Sequence, residues 1–303
     1  MSDGFDRNLI YDVGMHKGED SEFYLKKGFR VVAIEAATPL AQAASKRFQE
    51  YIGCGQLVVL NVAIAEKDGP LTFFENPGVS VWGTTDSQWA ERNRKMGQSS
   101  VETTVQGMNF ANILSKYGIP YYLKVDIEGA DTLCLEGLKS LRVKPKHVSI
   151  ESTKTSWKSL TGEFALFKEL GYTRFKAIPQ HTVASRVCPY PAKEGVYVDH
   201  PFKFGASGLF GEELDGEWMD EVEILRVYRR IFLRYRLYGD DSLAAKLWRA
   251  LRPNSLPAEG GKSRSAEGSP SGKGAGGLAK TPSLLRRLRP RPGWDDTHST
   301  TPD

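Results

Sequence analysis

The run Lys124-Val125-Asp126-Ile127-Glu128-Gly129 places three ionisable groups two residues apart at the end of an apolar stretch. In a strand, alternation turns Lys124, Asp126 and Glu128 to one side and Val125 and Ile127 to the other. Charged groups on a buried strand are costly unless they are paired or used. In an open α/β sheet the carboxyl ends of the strands are where ligands bind. Asp126, Glu128 and Lys124 are therefore the candidate catalytic residues. The acids can serve as general base or hold a substrate hydroxyl, and Lys124 can pair with an acid and tune it. An internal Lys–Asp ion pair that closes the strand end is the competing reading. Glu151, at the end of the next apolar run, can join this cluster or cap a loop.

A second constellation lies near the amino terminus, in Asp12-Val-Gly14-Met-His-Lys-Gly18. Glycines where a chain leaves a strand and enters a helix permit a tight turn and close backbone approach to a ligand. The free N–H groups of the helix start then face that ligand. A dinucleotide site would carry GxGxxG to hold pyrophosphate. Here the pattern is GxxxG preceded by the acid Asp12, which suits a ligand with a cationic amino-acid part. Glu35 follows Gly18 by 17 residues, at the end of Val31-Val-Ala-Ile-Glu35. A carboxylate there can accept hydrogen bonds from two ribose hydroxyls, or it can cap the following helix. Asn61 to Ala65, at the end of a third apolar run, offers small residues that leave room for an adenine ring or pack in a core. Asp12, Gly14, Gly18, Glu35, Asn61 and Ala63 thus describe a nucleoside-cofactor site.

These residues need strand ends to hold them, and the pattern supplies such ends. Buried strands are predicted at 9–14, 31–36, 57–65, 121–127 and 147–152, with a last strand at 172–178. Residues 71–76 also have strand character. Helical patterns fill 21–27, 39–52, 108–118 and 163–171. Continuous Val/Ile/Leu runs mark strands covered on both faces. Their alternation with helices predicts an α/β protein with a doubly wound, mostly parallel sheet. The expected organisation is a cofactor-binding domain over 1–180 and an irregular plus helical cover over 181–251. A Gly/Ser/Arg-rich disordered segment over 252–292 and a short terminal motif over 293–303 follow.

Composition narrows the partners. The net charge of +4 is unevenly placed: residues 252–292 carry nine Lys/Arg and two Glu, residues 293–303 carry three Asp, and residues 1–251 are neutral. A neutral folded part offers no general field for a polyanion, so nucleic acid is not the expected partner. The Arg286–Arg291 run could recruit an anionic surface or remain a solvated tail. The three cysteines show no metal-ligand or disulfide spacing. No dedicated metal site is expected, although a divalent ion at Asp126, Glu128 and Glu151 stays open. No apolar run is long enough to span a membrane, and no signal-peptide pattern opens the chain, so a cytoplasmic location is expected.

DVGMHKG, VVAIEA, NVAIAEKDGPLTFF and then KVDIEGAD with LEGL, in this order over residues 9–178, resemble the FkbM-type S-adenosylmethionine-dependent methyltransferases. That resemblance implies a Rossmann-like fold of the class I methyltransferase type, with a final antiparallel strand at Tyr172–Ile178. It implies S-adenosylmethionine as cofactor, with Asp12, Gly14 and Gly18 along its methionine part, Glu35 on the ribose and Asn61–Ala63 near adenine. Asp126 and Glu128 would face the transferred methyl and a small hydroxyl-bearing acceptor, such as a sugar or secondary metabolite. The family's usual DVGANxG turn is replaced by Met15-His16-Lys17 here. SGLFGEELDGEW (207–218) and Gly293-Trp294-Asp-Asp-Thr-His298 resemble short pieces found after the core of such enzymes. Trp82, Trp89 and Trp218 flank the expected site. The competing functions are a Rossmann-type NAD-dependent oxidoreductase or epimerase and a non-catalytic nucleotide-binding module. GxxxG in place of GxGxxG and the KVDIEG strand argue against the oxidoreductase.

Overall fold

In a computed structural model of the chain, strand β1 (Asp6–Val13) is buried from Leu9 to Val13 and forms the spine of the molecule. The structure describes residues 4–76, 83–87, 90, 91, 94, 100–127, 129–153, 156–203, 205–238 and 295–302. Ile10 joins the apolar cluster that contains Phe23, Tyr24 and Leu25 of helix α1 (Glu19–Lys26). Its neighbour Tyr11 points the other way and meets Phe110, which opens the helix Phe110–Tyr117, edge-on, with ring centroids 6.1 Å apart. Helices therefore cover both faces, which is why the strand is apolar without alternation.

The other elements follow in chain order. They are β2 (Arg30–Ile34), α2 (Thr38–Arg47), α3 (Gln49–Gly53), β3 (Leu57–Leu60), β4 (Ala63–Ile64), β5 (Gly69–Glu75) and β6 (Val101–Met108). After them come α4 (Phe110–Tyr117), β7 (Pro120–Val125), α5 (Asp131–Leu138), β8 (His147–Glu151), α6 (Trp157–Glu169), β9 (Arg174–Pro179), α7 (Glu221–Tyr238) and β10 (Asp295–Thr300). A seven-stranded sheet has the order β3-β2-β1-β7-β8-β10-β9, and β4-β6-β5 form a separate three-stranded sheet. Pairings among β3, β2, β1, β7 and β8 are all parallel. The chain order reverses between β1 and β7, which opens a crevice at their carboxyl ends. This is a mixed α/β protein with a mostly parallel, Rossmann-like sheet.

Two expectations about strands are corrected. The third apolar run is two strands: β3 ends at Leu60, and after Asn61 and Val62 the chain enters β4 in the small sheet. The antiparallel strand is also not 172–178. Strand β9 is the edge of the sheet, and β10 runs antiparallel to both of its neighbours, β8 and β9. All six residues of β10 are buried, so this part of the terminal motif is an interior strand of the sheet. A strand hydrogen-bonded on both sides needs few apolar residues, and Asp295-Asp-Thr-His-Ser-Thr300 carries no hydrophobic signal.

Residues 1–227 with 293–303 form one compact unit, and residues 228–292 a second. Within the first, the segment read from sequence as a cover contributes Phe202, Ala206, Leu209, Phe210 and Leu214 to the core around Phe23, Tyr24 and Tyr122. Phe210 stacks on Tyr122 with centroids 4.7 Å apart. Lys27 and Glu213 form a fully buried ion pair at 3.0 Å that ties this segment to α1. The 239–251 end of the expected helical cover, the 252–292 segment with its arginine run, and Gly293 and Trp294 lie outside the described residues.

Candidate active site

The glycines of the β1–α1 turn are set by sterics. Gly14 has φ +82°, and a Cβ there would lie 1.9 Å from the Asp126 carbonyl oxygen. Gly18 has φ +81° at the N-cap of α1, and a Cβ there would strike the Phe48 ring at 2.4 Å. Both positions need a residue without a side chain. Gly14 thereby lets the end of β1 lie against the turn after β7, where Asp126 N–H donates to the Val13 carbonyl at 2.9 Å.

Asp12 and Lys124 are register partners across the β1–β7 pairing. Lys124 Nζ donates to Asp12 Oδ1 at 2.9 Å and to the Gly14 carbonyl at 2.8 Å. Ser21 Oγ donates to Asp12 Oδ2 at 2.6 Å. Both Asp12 oxygens are thus engaged, and the residue is sealed from solvent. The Lys–Asp pair anticipated inside the KVDIEG run therefore forms with Asp12 of the neighbouring strand. Burial disfavours the Lys124 charge, but Asp12, Asp126 and Asp20 together outweigh it and hold the ammonium above the ordinary lysine range.

Asp20 belongs to this network and escaped the sequence reading. It accepts from Ser207 N–H at 2.9 Å and Gly208 N–H at 3.3 Å, fastening the 205–216 stretch to the start of α1. Burial raises its carboxyl to about 6 against the pull of Lys124. An acid in the first turn of a helix reads as an ordinary dipole partner, so its long-range contact left no signal in the sequence.

Glu35 stands just past the end of β2 and is buried. Its Oε2 accepts from His16 N–H at 2.8 Å and its Oε1 from Ala37 N–H at 2.8 Å. It therefore bridges the glycine turn and the N-terminus of α2. Burial raises its carboxyl, with the Ala37 and His16 N–H groups acting in the opposite sense. Asn61 Nδ2 donates to the Glu35 carbonyl at 2.9 Å and its Oδ1 accepts from Thr38 at 2.9 Å, clamping the same turn. Ala63 is buried with Ala37, Phe73 and Val105.

Strand β7 ends at Val125, so Asp126 lies in the following turn and is half-buried. Strict alternation does not carry past that residue. Glu128 lies outside the described residues, as do Trp82 and Trp89. Trp218 stacks on His147 with centroids 6.1 Å apart. His147 opens β8, so Trp218 sits at the amino edge of the sheet, away from the carboxyl-end crevice.

Strand β10 brings an unforeseen acid to the crevice. Its antiparallel register sets Asp296 beside Glu151 at the end of β8. Gln180 Nε2 donates to Asp296 Oδ2. Burial, then repulsion from Asp126 and Glu151, holds the Asp296 carboxyl well above the usual range, opposed by Lys124. Asp126, Glu151 and Asp296 thus form an acidic edge with one buried cation behind it. Among the described residues no group of His, Cys, Asp and Glu has the arrangement of a metal site.

Tyr172 and Lys176 have the Tyr-x-x-x-Lys spacing that a reductase would use, but both serve the fold. Tyr172 Oη donates to the Pro145 carbonyl at 2.8 Å, and Lys176 Nζ to the Leu214 carbonyl at 2.8 Å. A surface cavity of about 410 Å³ lies by Ala65, Asn109 and Gly137, and none of the residues above lines it.

A family profile described as "Methyltransferase FkbM domain" matches residues 12–174. Among solved structures, the chain is similar to methyltransferase FkbM from Methylobacillus flagellatus KT, at 16% identity and TM-score 0.38. That match covers 58% of this chain and 40% of the other. It is also similar to precorrin-6y C5,15-methyltransferase from Geobacter metallireducens GS-15, at 10% identity and TM-score 0.34, covering 58% and 69%. No match was found among curated proteins.

Proposed function

The chain belongs to the FkbM methyltransferase family, and from that membership we propose that it binds S-adenosylmethionine at the carboxyl edge of β1, β2 and β7 and methylates a hydroxyl oxygen. The acceptor class in this reading is a sugar or secondary-metabolite type molecule. The observation that carries the reading is the hydrogen bond between His16 N–H and Glu35 Oε2 at 2.8 Å, because it joins the GxxxG turn to the acid after β2. The two features have to meet if they hold one nucleoside ligand.

The donor set suits that ligand. Each carboxylate oxygen has about two lone-pair sites, and each Glu35 oxygen accepts a single N–H. Two acceptor positions are left for two ribose hydroxyls. The Gly14–Gly18 backbone would approach the methionine part, and Asn61 and Ala63 would lie on the adenine side. Asp12 would act through Lys124 and Ser21, holding the turn in shape.

When bound, the cofactor supplies a methyl group already activated on sulfonium. The protein's remaining tasks are alignment and proton handling. Asp126 would orient the acceptor hydroxyl and take its proton. Lys124, fixed by Asp12 and the Gly14 carbonyl, provides a positive charge beside Asp126. Glu128 would share the acceptor side with Asp126.

The test is a thermal-shift panel with S-adenosylmethionine, S-adenosylhomocysteine and NAD(H), each at saturating concentration. Only a ligand that binds the folded state stabilises it. Stabilisation by the two sulfur compounds supports the reading, and a shift with NAD(H) alone defeats it. Transfer of labelled methyl from S-adenosylmethionine to a panel of hydroxyl-bearing sugars then examines the acceptor class.

A further inference from the structure

Helix α7 presents two kinds of side chain to solvent. From Arg229 to Leu237 its exposed residues are Arg229, Arg230, Leu233, Arg234, Arg236 and Leu237. Leu233 and Leu237 are 59% and 50% exposed. Four residues apart, they lie on one face of the helix. Arginines stand on both sides of them, and the sequence holds no acid between Ile224 and Tyr238. A single exposed leucine has no meaning. Two at a helical spacing, set among guanidinium groups, make a basic amphipathic surface.

We propose that this face of α7 docks on an anionic lipid bilayer, lying flat in the headgroup region. Arg230 and Arg236, exposed on either side of the leucines, meet headgroup phosphates through bidentate hydrogen bonds. Leu233 and Leu237 enter the boundary with the acyl chains, while the long arginine stems keep their charges at the surface. Two features of the helix choose this occupant. A nucleic acid would engage the arginines and leave the leucines without a partner. A second copy of the chain would set one positive face against another, with no acid in that stretch to offset it. The sequence from 252 to 292 adds nine Lys/Arg against two Glu, of the same sign as the helix. No helix among the described residues is long and apolar enough to cross a membrane, so the docking is interfacial.

The experiment is co-sedimentation of the full chain with phosphatidylcholine vesicles, with and without phosphatidylglycerol. The protein pellets with the anionic vesicles alone, and added salt weakens the binding. The Leu233→Gln/Leu237→Gln pair lowers partitioning on the order of tenfold for each leucine that inserts. The Arg230→Gln/Arg236→Gln pair lowers it about fivefold per arginine. All four side chains are exposed, so both variants should melt like the parent, and either pair alone tests the docking. The proposal is overturned by failure to pellet with anionic vesicles or by equal pelleting with neutral ones. It is also overturned if binding is lost only on neutralising Arg286, Arg287, Arg289 and Arg291. Binding to duplex DNA or RNA in place of vesicles, or leucine-dependent dimerisation without them, overturns it as well.

Discussion

Lys124 and Asp12 face each other across adjacent parallel strands, with Nζ 2.9 Å from Oδ1 and both side chains buried. Neither charge reaches water, so each depends on the other. Removing one partner of a buried ion pair leaves the second uncompensated, which costs about 3–5 kcal/mol. Lys124→Met should lose that much stability in urea denaturation. The double change Asp12→Leu/Lys124→Met should recover part of it, because Asp12 is no longer left uncompensated and only Asp20 keeps a buried carboxyl beside the lost ammonium. A single variant as stable as the parent would show that the pair does not hold β1 to β7.

Glu35→Gln keeps the size of the side chain and removes its charge. One amide oxygen cannot replace two carboxylate oxygens that already accept His16 and Ala37 N–H groups. Hydrogen bonds to a charged group are each worth roughly 1.5–3 kcal/mol. Affinity for S-adenosylhomocysteine, measured by calorimetry, should therefore fall by at least tenfold. Unchanged affinity would remove Glu35 from the ribose site.

Asp126→Asn separates binding from chemistry. Asp126 is half-buried in the turn after β7, and its link to β1 is through its backbone N–H. The amide should preserve that link and leave cofactor affinity within a few-fold. Turnover with an assigned acceptor should fall about 10²–10⁴-fold, the usual contribution of a general base. An equal loss of binding and turnover would point to a structural role.

Glu163 of α6 makes stability depend on pH. Burial pushes its carboxyl up to about 8, partly opposed by hydrogen bonds from Ser152 and the Thr153 backbone. The folded state then holds a proton that the unfolded chain has released from above about pH 4.5. Stability from this group is complete below that point and is lost as pH rises towards 8. Glu163→Gln cannot ionise, so its melting temperature should fall less than the parent's between pH 5 and 8. His298 acts in the opposite sense. Burial, with Arg186, His147 and Lys176, lowers it to about 3, so its contribution is lost as pH falls through the range from 6.5 to 3.

Deleting residues 293–303 should abolish cooperative unfolding. It removes β10 and leaves buried N–H and C=O groups of β8 and β9 unpaired, along with the Ser152–Thr297 hydroxyl contact at 2.5 Å. Unpaired buried backbone groups cost about as much as lost hydrogen bonds, and this change affects two strands. A truncated chain with an unchanged melting transition would contradict the interior position of β10.

The sequence by itself determined the parallel half of the fold and the separate pieces of the candidate site. Runs such as Leu9–Tyr11 and Val31–Ile34 are apolar because they are covered on both faces, and burial of that kind is written locally. Gly14 and Gly18 are legible for the same reason, since positive φ excludes most side chains wherever the chain folds. Tertiary structure alone decided which charges meet. Lys124 finds Asp12 over 112 residues and Asp20 finds Ser207 over 187, distances at which spacing carries no information. It also decided that β10 is an interior strand carrying Asp296 to the acidic edge. A polar strand hydrogen-bonded on both sides obtains its place from its neighbours' backbones, and those become neighbours only when the sheet forms.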